Sequence, residues 1–137
     1  MATLLYNAYV YVNSIDMSTY VRSVEIPFDR DSHDVTTMGC TTKISLAGLK
    51  DSKIRVTFIQ DFAVTTVDDR LWTMYDAGTG YEMIVRPDSG AVSTSNPQWT
   101  MTVWLKNYTG ISGAVGSVPE TVAEFELSTG NVERTTA

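Results

Sequence analysis

Residues 53–61, KIRVTFIQD, constrain the fold more than any other stretch of this chain. Ile54, Val56 and Phe58 fall on one side of the alternation, and Lys53, Arg55, Thr57 and Asp61 fall on the other, with Ile59 the exception. A period of two with one apolar face is the pattern of a half-buried β-strand. The preceding residues 29–51, DRDSHDVTTMGCTTKISLAGLKD, mix charges, hydroxyls and glycines with no sustained helical or strand period. Compact domains seldom keep a loop of about 20 residues without a use for it. The expectation is a core strand tied to a long extended arm, about 29–50, that belongs to a partner.

Other strands flank this pair. Residues 8–13 form a short strand, continuing from TLLYN, and 13–18 carry turn chemistry. Residues 20–28 alternate again. Tyr20, Arg22, Val24, Ile26 and Phe28 share one face, and Val21, Ser23, Glu25 and Pro27 share the other. Pro27 lacks an amide donor, which suits a strand end or an edge. Further strands are predicted at 81–86, at 98–107 and at 121–127, and the tail NVERTTA either extends or frays. On the second of these, Trp99 and Trp104 have opposite parity, so one faces the core and the other needs separate cover.

One helix is predicted between them. Thr66 followed by Asp69 resembles a capping box, Asp68 and Asp69 suit the positive end of the helix dipole, and Gly78 marks the stop. Val67, Leu71, Met74 and Tyr75 make the apolar stripe, with Trp72 off its centre. Six or seven strands and one helix predict a mainly β single domain over 1–137. The expected form is an antiparallel β-sandwich or partial barrel with the helix packed on it. No period of 20–50 residues repeats, which excludes a solenoid.

Composition narrows the function. A net charge of −6 argues against gripping nucleic acid through its phosphates, although an acidic wall can let DNA pass. The single cysteine, Cys40, excludes an internal disulfide framework. The N-terminal apolar run is broken by Asn and tyrosines and follows no basic region, so it reads as a strand and not as a signal or membrane span. The sequon at Asn107 is chance without a secretory signal.

The chemistry-bearing residues are few. His33, with Asp29, Asp31 and Asp34, could hold a divalent cation, but the spacing fits no known loop and Arg30 lies among them. A structural or interface role is the better reading. Cys40 has no base and orienting partner. No serine sits in a nucleophile elbow. The glycines 110, 113 and 116 do not make a phosphate loop. No enzyme signature, metal site or cofactor is expected.

The order of elements is itself distinctive. MGCTTKISLAGLKDSKIRVTFIQDF, a helix through VDDRLWTMYDAG, then YEMIVRP, then PQWTMTVWLKNYTGISGAVGSVPETVAEFELSTG resembles the tail tube (major tail) proteins of long-tailed phages. The likeness is to the small actinobacteriophage type, over about residues 12–130. It implies a non-enzymatic virion protein, made in the host cytoplasm, that forms homohexameric rings whose sheets join into one barrel. Stacked rings make the tube through which DNA passes without specific binding. The tape measure would lie inside, with terminator and tip proteins at the ends.

On this resemblance the arm residues Asp29, Arg30, Asp31, His33, Asp34, Met38, Leu46 and Leu49 make contacts between subunits or rings. Asp61, Glu82, Glu124 and Glu126 are candidate lumen-facing acids. The chain is short for such a protein and lacks an added Ig-like domain. That keeps open a capsid decoration module, a neck ring, a tail terminator or a ring near the baseplate hub.

Overall fold

The structure is a computed structural model that describes residues 8–136 apart from Ser14, Val64 and Thr65. The chain runs through β1 (Tyr9–Val12), β2 (Ile15–Asp16), a 3-10 turn (Ser18–Tyr20), β3 (Val21–Glu25), β4 (Phe28–Asp34) and β5 (Ser45–Ile59). It continues through α1 (Val67–Ala77), β6 (Tyr81–Arg86), β7 (Gln98–Tyr108) and β8 (Glu120–Thr135). The strands form one sheet in the order β2-β1-β6-β7-β8-β5-β3, with β4 attached to β5. A single curled antiparallel sheet is the partial barrel of the two expected forms. The predicted strand over residues 3–7 lies outside the described residues.

β5 is the pivot. Its C-terminal half pairs with β3 on one edge and β8 on the other, for example Val56 opposite both Val24 and Ala123. Its N-terminal half leaves the sheet and pairs with β4, from Phe28 opposite Ser52 to Asp34 opposite Ser45. The alternation read from KIRVTFIQD is therefore a record of burial: Ile54, Val56 and Phe58 are all fully buried. They meet Val10, Val12, Met83, Val85, Met101, Val103, Leu105, Ala123 and Phe125 in one core. Burying a side chain of this size stabilises by about 1.5–3 kcal/mol.

α1 closes part of that core with Val67, Leu71 and Met74. Gly78 ends it in the left-handed conformation at φ 64°, its amide donating to Met74 O at 3.2 Å. Two helix expectations are corrected. The Thr66 side chain does not cap the helix. Its Oγ1 donates backward to Asp61 O at 3.0 Å, because the turn from β5 brings that carbonyl within reach. Tyr75 is not in the buried stripe: it stands half exposed, edge-on to Tyr108 and beside Trp72.

Three strand expectations also change. The run 20–28 is not one strand, since it opens as a 3-10 turn and breaks at Pro27. A register shift at Arg22 puts Val21, opposite Phe58, on the core side with Val24, so the two faces read from simple parity do not hold. The arm, read as aperiodic, is an ordered hairpin of β4 with the first half of β5. Every residue of β4 is exposed, and burial on one face is what writes a period of two into a sequence. The tail does extend: β8 continues past Gly130 (φ 69°) to pair Glu133 with Thr100 and Thr135 with Gln98.

Candidate functional site

The surfaces available to partners follow from which faces the fold leaves uncovered. The first is the hairpin arm. His33 pairs with Leu46, and the same register continued by the Val35 amide to Ile44 O (2.9 Å) places Val35 and Ile44 on that face. Val35, Ile44 and Leu46 thus line one side near the tip, all exposed, with Met38 fully exposed in the tip itself. Ser32, Asp34, Ser45 and Ala47 occupy the other side. Leu49 is exposed at the register shift farther down. The ribbon is thus ordered and carries a bare apolar side.

The charged arm residues do not converge. His33 and Asp31 lie together over Gly48, where a Cβ would stand 2.7 Å from His33 Nε2 and 2.9 Å from Asp31 Cβ. A side chain there would have to push His33 and Asp31 aside. Asp29 instead accepts from the Arg30 amide at 2.8 Å. Asp34, on the opposite side from His33, accepts from the Thr36 amide at 2.9 Å, which holds its carboxyl below the usual carboxylate range. Among the described residues no three His, Cys, Asp or Glu side chains come together as a metal ion requires. Cys40 is exposed at the tip.

The second surface is the face of the sheet opposite α1. Residues paired across neighbouring strands point to the same side, so the register collects Lys53 and Glu126, Arg55 and Glu124, Ile59 and Glu120, and Glu82 and Thr102 on this face. Three of the four candidate acids, Glu82, Glu124 and Glu126, are therefore together. Asp61 is not with them. It lies beyond the end of β5, where its carboxylate accepts from the Ala63 amide at 3.0 Å and its carbonyl from the Asp68 amide at 3.1 Å.

This face is charge-balanced, not simply acidic. Glu126 Oε1 lies 3.5 Å from Lys106 Nζ and 3.9 Å from Lys53 Nζ, and Arg22 Nη1 contacts Glu120 Oε1 at 2.6 Å. Asn107 Nδ2 donates to Glu124 Oε2 at 3.3 Å. The Arg86 guanidinium stacks over the Tyr9 ring at 4.1 Å. Trp104, opposite Glu126, is half-buried among these groups, while Trp99 meets Phe28 on the core side at 6.2 Å.

Sequence reasoning missed a third surface. Only the glycines of the 109–119 connection were weighed, for a phosphate loop they do not make, yet Ile111, Val115 and Val118 are exposed there. The signal was present: the segment carries three aliphatics and no charge. Among the described residues no helix is long and apolar enough to cross a membrane.

No protein-family model matches the chain, and no curated protein matches it. Solved structures do. A chain in the virion of the native gene transfer agent particle superposes with a TM-score of 0.74, covering 94% of this chain and 95% of that one at 16% identity. The SPP1 tail tube gives 0.72 over 96% of this chain and 77% of that one, at 9% identity. The fold is the tail tube fold.

A chain from the tail of the empty gene transfer agent particle, solved with C6 symmetry, gives 0.68 over 85% of this chain and 82% of that one, at 19% identity. Identities this low leave the tail tube fold as the shared property. Among the described residues the curled sheet, one α-helix on its face and the projecting hairpin occur together.

Proposed function

We propose that this chain is a tail tube subunit of a long-tailed phage: a virion structural protein without catalytic activity, acting as one unit over 1–137. Six copies close a ring, and rings stack into the channel for DNA ejection. The helix-free, charge-balanced face of the sheet carries this reading. A sheet that buries one face under a helix and leaves the other polar and open suits a wall facing water, and an open curl with free edges suits closure by neighbouring copies. The edges that threaten aggregation in a monomer become the ring contacts. The hairpin arm, with Asp29, Arg30, Asp31, His33, Asp34, Met38, Leu46 and Leu49, reaches the adjoining subunit or ring.

Glu82, Glu124 and Glu126 face the lumen in this arrangement, and Asp61 takes a turn role instead. DNA moves past without being held because the cations on that wall are answered by carboxylates. The tape measure protein occupies the channel before ejection, and terminator and tip proteins cap the ends. The protein is made in the host cytoplasm and resides in the virion.

Two measurements test this. Negative-stain electron microscopy across a concentration series should show hollow six-fold rings, or tubes built from them. Uniform small particles at every concentration would refute the tube role and favour a decoration module. Glu126→Gln should leave assembly unchanged but strip the carboxylate from Lys53 and Lys106 in every subunit. Variant tubes should then retain DNA fragments in sedimentation at low salt and release them at high salt, unlike the unsubstituted tubes. Equal, negligible retention by both would place Glu126 away from the DNA path.

A further inference from the structure

α1 covers the core side of the sheet at one end. α1 has 11 residues, which make about 16 Å of helix. β7, also 11 residues, is extended over about 36 Å. The helix lies toward the end where Tyr75 meets Tyr108 and where Val12 lies beside Met74. Toward the other end the same side opens into a groove lined by Val24, Ile26, Phe28, Val85, Pro87 and Trp99, with Ala8 and Arg86 completing its wall. Its walls are almost wholly apolar, and Phe28 remains exposed on its rim.

The loop 109–119 has the complementary character. TGISGAVGSVP contains no charged residue. Ile111, Val115 and Val118 point to solvent, with Val115 fully exposed. The loop is nevertheless held in place. Gln60 Nε2 donates to Gly110 O at 2.8 Å, the Gln60 amide donates to Pro119 O at 3.0 Å, and the Ser117 amide closes a turn on Ala114 O at 3.1 Å. Gly116 sits at φ 91°, a conformation that favours glycine, immediately after Val115. Aliphatic side chains displayed on a pinned turn mark a binding element.

We propose that the 109–119 loop of one copy seats Ile111, Val115 and Val118 in the Phe28–Trp99 groove of the next copy along the tube. This rests on the reading of the chain as a subunit of stacked rings. Two observations and one symmetry argument select a second copy as the occupant. Loop and groove lie at opposite ends of β7: Tyr108 marks one end, near Glu120 and Ile59, and Trp99, paired with Val85 and Arg134, marks the other. A copy displaced along β7 would bring its loop to the groove end of this one. Joining two different patches head to tail also propagates without limit, as stacking requires.

The second observation is the arm. It departs from the sheet where Phe28 pairs with Ser52, and Phe28 is also the rim of the groove. A copy that meets the arm is thus brought to the groove as well. Arm and loop grip the same junction from opposite sides, the arm reaching out from one ring and the loop reaching in from the next.

The test is a disulfide between the two patches. Tubes are assembled from protein carrying Val115→Cys and Phe28→Cys in a Cys40→Ser background and then oxidised. Denaturing gels should show a ladder of covalent species extending beyond the complement of a single ring, while either single-cysteine protein stops at dimers. A ladder that ends at one ring's complement would place the contact within rings and overturn the proposal. Tubes without any ladder would overturn it and leave the tube reading standing. Absence of tubes from the unsubstituted protein would remove both. Val115→Asp is the independent check: rings should persist with unchanged thermal unfolding while tubes fail to elongate, and tubes of ordinary length would contradict the contact.

Discussion

Deletion of residues 31–44 should leave a folded subunit that builds no tubes. Every residue from 31 to 44 is exposed, so the deletion removes nothing from the core. It joins Arg30 to Ser45 and keeps the pairs of Phe28 with Ser52, Asp29 with Asp51 and Arg30 with Lys50. Residues 45–49 then close the ladder, a loop length that hairpins use. What disappears is the apolar side formed with Val35 and Ile44, and the exposed Met38. Thermal unfolding of the unassembled protein should shift little, whereas electron microscopy should show isolated subunits or rings at concentrations where the full chain forms tubes. Long tubes from the deletion protein would show that the arm is dispensable.

Phe58→Ala should have the opposite profile, destabilising the subunit before assembly is reached. Phe58 is fully buried between Val21 on β3 and Thr121 on β8, at the point where β5 holds both neighbours. Truncating a core phenylalanine costs roughly 3–5 kcal/mol, a large part of the roughly 5–15 kcal/mol that keeps a domain folded. The melting temperature of unassembled protein should fall by roughly 10–20 °C. The measurement belongs on dispersed protein, since assembly stabilises the folded state by mass action. A drop of only a degree or two would mean that the neighbouring strands collapse into the cavity.

The two variants separate what the chain needs in order to fold from what it needs in order to associate, and the sequence recorded these two needs unequally. The strands at 53–61, 81–86 and 98–107 were readable because each buries one face, as Met83, Val85, Met101, Val103 and Leu105 do. The hairpin was not readable as strands. Its apolar residues face solvent in the single subunit, so no core selected a clean alternation. The aliphatic loop at 109–119 is silent in the sequence for a related reason: its aliphatics follow no period, and only their exposure shows what the connection displays.

Of the candidate acids, parity along a single strand could place Glu124 and Glu126 on one face, since they share β8. It could not join them to Glu82 on β6, or show that Asp61 turns away to hold its own loop. Nor could it pair Glu126 with Lys53 and Lys106, which lie on two different strands. Charge totals suggested an acidic wall, and the register produced a compensated one.

Local pattern thus determined the elements of this protein: the strand that anchors it, the single helix with its Gly78 stop, and the mainly β class. Those features depend on neighbours a few residues apart and on which side chains leave water. Tertiary structure decided the strand order, the shift at Arg22 that returns Val21 to the core, and the separation of the aliphatic loop from the open groove. Each depends on which strands pair and in what register. That choice is made by contacts between residues far apart in the chain, and no local period records it.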